Sequence, residues 1–153
     1  MKAMILAAGL GTRLKPLTDS VPKALIKAGR MTLLERLITK LKVQGFKDIV
    51  INVHHLADQV TDYLSAKENF GVNITISDER SLLLDTGGGI FHAREVLGED
   101  PFIVHNVDIL SDIDLRKVYQ EHITNQSIAT LVVKQRNTSR YLLFDHNMLM
   151  QGW

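Results

Sequence analysis

The first glycine-rich stretch combines the residue types that hold a polyphosphate. Residues 6–18 read Leu-Ala-Ala-Gly-Leu-Gly-Thr-Arg-Leu-Lys-Pro-Leu-Thr, and Lys23 follows a few residues later. Because Gly9 and Gly11 carry no side chains, backbone N–H groups beside them can approach an anion closely. Arg13 adds a planar fork of donors, and Lys23 adds a compact charge. The stretch predicts a phosphate-binding loop; a glycine turn with solvated basic side chains is the alternative interpretation.

Two common phosphate motifs do not account for this loop. The dinucleotide-binding fingerprint requires a glycine where Leu14 stands. It also requires an acidic residue at the end of the second strand, where the chain reads Asn52-Val53-His54. The P-loop requires a Gly-Lys-Ser or Gly-Lys-Thr tripeptide, which the sequence lacks. The loop is therefore expected to belong to another kind of phosphate site.

Two later segments carry further candidate residues. Asp85-Thr86-Gly87-Gly88-Gly89 places three glycines at a predicted helix start, where exposed N–H groups and open space suit a flat ring. A simple helix-entry loop is the alternative. Asp108 follows a predicted buried strand and could hold a hard cation through oxygen, or could cap a turn. Asn106 could hydrogen-bond a ligand hydroxyl or brace the loop.

Alternating strands and helices are expected to position these segments. Residues 9–31 are predicted to form a long functional loop, and Thr32 to Glu35 has capping-box spacing. The strand–helix order predicts a three-layer α/β/α sandwich with a mostly parallel, Rossmann-like sheet. Ligands of such sheets lie outside the carboxyl ends of the strands, so the candidate segments should converge on one edge. The predicted strands span 2–8, 49–53, 72–77, 102–104, 128–133 and 141–144, and the predicted helices span 33–44, 56–64, 87–97 and 114–122.

Composition excludes several classes of protein. The 153 residues, 45% of them hydrophobic, suffice for one domain with a core. A formal net charge of +1 gives no support for a nucleic-acid-binding surface. The absence of cysteine excludes disulfides and thiolate zinc sites. The first apolar run is too short for a signal peptide or a membrane span, so a cytoplasmic protein without nucleic-acid or membrane partners is expected.

Taken together, the loop, the triple glycine and the Asn-x-Asp string resemble the sugar nucleotidyltransferase superfamily. The chain looks most similar to bacterial N-acetylmuramate-1-phosphate uridylyltransferases and mannose-1-phosphate guanylyltransferases, from Met1 to about residue 116. The resemblance implies NMP transfer from an NTP, with UTP favoured over GTP, to a sugar 1-phosphate, with release of pyrophosphate. It also implies Mg²⁺ as cofactor, bound by Asp108, with Asn106 touching the sugar. Arg13 and Lys23 would be catalytic, and the nucleotide would contact Ala8, Gly9, Gly11, Thr12, Arg13, Lys23, Glu79 and Gly88.

The chain also departs from the family pattern. Ala24, Val107 and Asp85 stand where relatives usually carry Pro, Gly and Glu. Family members continue well beyond residue 153, and that part supplies a second metal-binding aspartate and most of the sugar pocket. Residues 1–153 are therefore expected to be the N-terminal, nucleotide-binding part of a longer catalytic domain, truncated at the C-terminus. Sheet surface left uncovered would favour association into a homo-oligomer.

Two other functions remain open at this point. A cytidylyltransferase acting on phosphocholine or on an isoprenoid phosphate would also open with an Ala-Ala-Gly-x-Gly loop. A non-catalytic nucleotide- or sugar-binding module is the second alternative, although Arg13 and Lys23 together argue against it. His54, His55, His92 and His105 have no tight ligand spacing, so the prediction for them is packing, or support of neighbouring site residues, and not a metal site.

Overall fold

The structure, a computed structural model, describes residues 1–139 and 141–153. Its strands and helices alternate along the first two thirds of the chain, as the sequence predicts. In chain order the elements are β1 (Lys2–Leu6), β2 (Lys27–Ala28), β3 (Met31–Thr32), α1 (Leu33–Val43), β4 (Asp48–Val53), α2 (Ala57–Ala66), β5 (Asn73–Asp78), α3 (Asp85–His92), α4 (Arg94–Leu97), β6 (Phe102–Asn106), α5 (Leu115–Asn125), β7 (Leu143–Phe144) and β8 (Met150–Gly152).

A four-stranded parallel sheet forms the middle layer of an α/β/α sandwich. The strand order is β5-β4-β1-β6, and every neighbouring pair is parallel. On one face, α1, α2 and α5 pack against side chains such as Ile5 and Ile51. On the other face, α3 and α4 pack against Met4 and Val50. The predicted fold class is therefore confirmed, with a fully parallel central sheet.

Local sequence explains why β4 and α1 form. Residues 49–53 are buried because β4 lies between two strands and under helices on both faces, which suits a β-branched run. Thr32 caps α1, its hydroxyl accepting the N–H of Glu35 at 3.0 Å. The Glu35 carboxylate accepts instead from the hydroxyl of Tyr63 at 2.7 Å. Gly45 follows the helix with φ +89°, a conformation that suits glycine.

Two predicted segments have more structure, or different bounds, than expected. Residues 9–31, predicted as a loop, contain three single-turn 3-10 helices and the β2–β3 hairpin. The helix predicted over 87–97 begins at Asp85 and is interrupted at Ala93, which separates α3 from α4. The three glycines are helical residues because their helix packs on the sheet and buries Gly89. A glycine run alone does not reveal that packing.

The last part of the chain contradicts one predicted strand and shortens another. Residues 128–133 form no strand, and Ile128, Leu131, Val132 and Val133 are exposed. Their β-branched composition resembles a strand, but a strand requires a backbone partner, and no strand within residues 1–139 and 141–153 pairs with them. Of residues 141–144, only β7 is a strand, paired antiparallel with β8. These exposed apolar side chains agree with the expected self-association, which stays a prediction.

The described helices are shorter than a membrane-spanning helix. The longest helices, α1 and α5, have 11 residues each, whereas a span needs about 20 apolar residues. Among residues 1–139 and 141–153, no helix is long and apolar enough to cross a bilayer.

Candidate active site

A cleft of about 320 Å³ opens at the carboxyl edge of the sheet. It lies where the four parallel strands end, and its size is at the lower end of the range for small-molecule sites. The segments predicted to converge do so. The cleft is lined by Leu6, Ala7, Ala8, Gly9, Leu10, Gly11, Thr12, Lys23, Asn52, Glu79, Leu83, Asp85, Thr86, Asn106, Val107 and Asp108.

The first glycine loop forms one wall of the cleft. Gly11 adopts φ +66°, and its carbonyl accepts the N–H of Leu14 at 2.8 Å and the Thr18 hydroxyl at 2.9 Å. Both bonds fold the loop back on itself directly after β1. A Cβ added at Gly9 would meet nothing within 4 Å. The backbone at Gly9 therefore faces open space, where an anion could approach its N–H groups.

Lys23 and Asp108, which are far apart in sequence, meet in the cleft. The Lys23 Nζ lies 2.5 Å from Asp108 Oδ2, and the two side chains are 20% and 38% exposed. Asp108 follows β6, and the N–H of Val107 donates to the Leu6 carbonyl at 3.1 Å, which ties the end of β6 to β1. Partial exposure limits what this ion pair contributes to stability. Its importance lies in placing a cation and a carboxylate side by side.

A buried carboxylate, Glu79, lies across the cleft from this pair. Glu79 is 1% exposed. The Asn52 amide donates to Glu79 Oε1 at 2.8 Å, and the N–H of Leu84 donates to Oε2 at 3.4 Å. The other end of the amide, Asn52 Oδ1, accepts the N–H groups of Ala7 and Ala8 at 2.7 and 3.3 Å. These bonds compensate the cost of burying the carboxylate.

Most of the predicted site residues line the cleft, but two do not. Arg13 is exposed on a 3-10 turn and lies outside the residues lining the cleft. Gly88 also lies outside, and a Cβ there would meet Leu84 Cβ at 3.0 Å. The predicted residues within the cleft are Ala8, Gly9, Gly11, Thr12, Lys23, Glu79, Asn106 and Asp108.

The sequence did not predict that Asn52 and Asp85 line the cleft. Asn52 was visible as a polar residue inside a run of Ile and Val at the end of a predicted strand. Such a residue must find partners when buried, which is a usable signal. Asp85 lines the cleft with Thr86, although the sequence suggested only a departure from the family pattern at this position.

His54 and His105 make contacts that fit packing, whereas His55 and His92 are exposed. His54 Nδ1 lies 2.6 Å from the Glu79 carbonyl oxygen, and His105 Nδ1 lies 2.8 Å from the Asn106 carbonyl oxygen. Burial lowers the pKa of His105, so its ring is neutral near pH 7. Within the described ranges, no group of three or more His, Asp or Glu could hold a metal ion.

Gly89→Ala should destabilise the protein, because Gly89 lies directly on the Asn52–Glu79 pair. A Cβ there would lie 2.7 Å from Glu79 Oε1 and 3.0 Å from Asn52 Nδ2. Overpacking of this kind costs about 1–3 kcal/mol. In a chain of this size, each kcal/mol lowers Tm by about 2–4 °C. Thermal unfolding followed by circular dichroism measures the change.

The matched control for this prediction is Gly87→Ala. A Cβ at Gly87 meets nothing within 4 Å. Since alanine favours a helix over glycine by about 1 kcal/mol, this variant should unfold at the same temperature or higher. Equal Tm values for the Gly89 and Gly87 variants would show that α3 does not pack on the pair.

The fold and the cleft together define an α/β/α protein whose site lies at the carboxyl edge of a parallel sheet. The sequence of residues 2–147 matches the family described as "Nucleotidyl transferase". The chain belongs to the nucleotidyl transferase family, which confirms the resemblance found in the sequence.

Individual relatives and solved structures agree with this assignment. The N-acetylmuramate alpha-1-phosphate uridylyltransferase of Neisseria meningitidis serogroup B is 45% identical over 130 residues, which cover 81% of this chain and 56% of the relative. HddC from Yersinia pseudotuberculosis, complexed with GMP-PN, is 30% identical with a TM-score of 0.72, over 80% of this chain and 54% of that one. The CTP:phosphocholine cytidylyltransferase LicC from Streptococcus pneumoniae is 40% identical with a TM-score of 0.57, over 70% and 44%. The chain spans about half the length of the curated relatives it matches.

Proposed function

We propose that residues 1–153 form the N-terminal, nucleotide-binding part of a longer sugar-1-phosphate nucleotidyltransferase. The enzyme would transfer NMP from an NTP to a sugar 1-phosphate and release pyrophosphate. UTP is the favoured nucleotide, and GTP is the next candidate. The observation that carries this proposal is the Lys23–Asp108 pair in the same cleft as the open backbone of Gly9. A cation, a carboxylate and free N–H donors in one cleft suit a metal-bound polyphosphate. The uridylyltransferase relative supports the preference for uridine.

Each residue of the cleft takes a role in this proposal. The NTP phosphates would lie along the loop from Ala8 to Thr12, with Arg13 reaching them from the rim. Glu79, on the opposite wall, would lie beside the base. Asn106 would contact the sugar from the end of β6. Gly88 would contribute indirectly, because a Cβ there would lie 3.0 Å from Leu84 Cβ in the turn that begins α3.

A magnesium ion would bind at Asp108. Mg²⁺ in nucleotide sites usually takes one or two carboxylates, substrate phosphates and water, so a single carboxylate facing the phosphate loop fits this ion. When bound, the ion would draw charge off the phosphate oxygens. Lys23 already contacts the Asp108 carboxylate. Because the ammonium and the ion compete for one carboxylate, tight metal binding would require the nucleotide phosphates as well.

The chain's own residues would lower the barrier by positioning and by charge. An oxygen of the sugar phosphate attacks the α-phosphorus of the NTP in line, and pyrophosphate leaves with the electron pair of the broken P–O bond. The Lys23 ammonium would face the negative charge that accumulates during this displacement, and the loop N–H groups would donate to the leaving phosphates. No covalent intermediate with the protein is required.

Calorimetric titration against UTP, GTP, CTP, dTTP and ATP with Mg²⁺ tests this proposal. We expect UTP to bind most tightly, and we expect Arg13→Ala to weaken that binding. Lys15→Ala is the matched control, because Lys15 is exposed in the same loop and pairs only with the exposed Asp19 in the described contacts. Preference for CTP would favour the cytidylyltransferase alternative. Binding without any transfer to a sugar 1-phosphate by a full-length version of this protein would favour the non-catalytic module. The absence of any NTP binding would contradict the proposal.

A further inference from the structure

Asn52 is a buried polar residue in an otherwise apolar strand. It is 3% exposed, and its β4 neighbours Val50, Ile51 and Val53 are all buried and hydrophobic. In the sheet it pairs with Leu6 of β1 on one side and Ser77 of β5 on the other. An amide placed here is costly unless both of its ends are hydrogen-bonded. The position therefore calls for a physical reason beyond the fold of the sheet.

The hydrogen bonds of Asn52 join two segments that leave the sheet to form the cleft. Its Oδ1 accepts the N–H groups of Ala7 and Ala8, the first residues after β1, at 2.7 and 3.3 Å. Its Nδ2 donates to Glu79, the first residue after β5, at 2.8 Å. Asn52 therefore connects the phosphate loop to the side of the cleft formed by Glu79, called here the Glu79 wall. A third segment, α3, closes over it at Gly89.

Only an amide satisfies both sets of partners. Two backbone donors face one end of the side chain, and a buried carboxylate faces the other. A carboxylate at position 52 would meet Glu79 with like charge and no donor. An apolar side chain would leave the Ala7 and Ala8 N–H groups and the carboxylate without this partner. Unpaired buried groups of this kind cost more than the bond itself contributes.

We propose that Asn52 is a positioning residue that fixes the phosphate loop relative to the Glu79 wall and so sets nucleotide affinity. The predicted effect on nucleotide affinity rests on the proposed function. The predicted effect on the Ala7 and Ala8 backbone depends only on the hydrogen bonds of Asn52. Asn52 would act through the backbone at Ala7 and Ala8, without contact to the reacting atoms. The role predicts a loss of affinity in a protein that is still fully folded.

The test compares Asn52→Leu and Asn52→Asp with Asn73→Asp. The control is matched, because the Asn73 amide also donates to a carboxylate, Asp48, at 2.9 Å, but on the exposed surface. Amide hydrogen exchange and calorimetry with UTP and Mg²⁺ are measured at a temperature where all variants are folded. In Asn52→Leu, exchange at Ala7 and Ala8 relative to Ile5 should accelerate about tenfold, and UTP affinity should fall about tenfold, as for one lost hydrogen bond. In Asn52→Asp, the carboxylate still accepts from Ala7 and Ala8 but meets Glu79 with like charge, so UTP affinity should fall while exchange at Ala7 and Ala8 stays slow. Asn73→Asp should change neither.

A charge swap keeps the test decisive if the single variants do not fold. In Asn52→Asp with Glu79→Gln, the carboxylate at 52 accepts from Ala7 and Ala8, and the amide at 79 donates to it. Exchange at Ala7 and Ala8 should be native in this double variant. Native exchange at Ala7 and Ala8 in Asn52→Leu, or unchanged UTP affinity in either single variant, would overturn the role of Asn52. Failure of the unsubstituted chain to bind any NTP would count against the proposed function, while the exchange rates still test whether Asn52 holds the loop.

Discussion

Lys23→Ala should reduce nucleotidyl transfer by about 10²–10³-fold or more, the loss expected when a preorganised charge is removed from a phosphoryl transition state. The fold should be unaffected, because the Lys23 side chain is partly exposed and its described ion pair is with Asp108. Pyrophosphate release by a full-length version of this protein measures turnover. Thermal unfolding of the 153-residue chain checks its fold.

The same substitution should strengthen the binding of free Mg²⁺ while it weakens catalysis. A loss of structure could not strengthen metal binding. Because the ammonium lies 2.5 Å from Asp108 Oδ2, its removal frees the carboxylate. Without nucleotide, Mg²⁺ should therefore bind more tightly to Lys23→Ala than to the unsubstituted chain, whereas magnesium-bound UTP should bind more weakly. Lys27→Ala, at an exposed position on β2, is the matched control and should change neither affinity. Near-normal turnover, or weaker binding of the free metal, would refute the proposed role of Lys23.

The sheet and the location of the site could be predicted from sequence because they depend on local patterns. Runs of buried β-branched residues indicated β4, and strand–helix alternation implied a parallel order. Once that order is assumed, the residues after each strand must lie at one edge. Lys23 and Asp108 could therefore be placed in one region of the molecule. The 2.5 Å contact between their side chains could not, because it depends on how the loop folds back through Gly11 and Thr18.

The parts that sequence did not predict depend on partners far away along the chain. Residues 128–133 have a strand-like composition, but no strand of the sheet pairs with them. Asn52 stood out as polar, yet its partners follow from the register that aligns it with Leu6 and from the chain path to Glu79. Arg13 was predicted beside the phosphates, and the structure places it on an exposed turn outside the cleft lining. Composition identified the residue types, but only packing decided their distances.

Gly11→Ala should destabilise the protein more than any other alanine substitution in the first loop. Gly11 adopts φ +66°, which costs a residue with a side chain about 1–2 kcal/mol. Its added Cβ would also lie 2.6 Å from Thr18 Cγ2, and Thr18 is 2% exposed and holds the Gly11 carbonyl through its hydroxyl. Overpacking adds about 1–3 kcal/mol, so the total loss should be about 2–5 kcal/mol. Urea unfolding monitored by circular dichroism gives this difference.

Gly9→Ala separates binding from folding in the same motif. A Cβ at Gly9 meets nothing within 4 Å, and the backbone there is not in the left-handed region. The free energy of unfolding should therefore change by less than about 0.5 kcal/mol. That Cβ nevertheless projects from a residue that lines the cleft, where the phosphates are proposed to approach the backbone. UTP affinity should therefore fall in Gly9→Ala at unchanged stability, whereas Gly11→Ala should lose both, since its Cβ would also press on Lys23 Cβ at 3.3 Å. If Gly9→Ala binds UTP normally, the polyphosphate does not lie against this backbone, and the loop would have to act through the side chains of Thr12 and Lys23 instead.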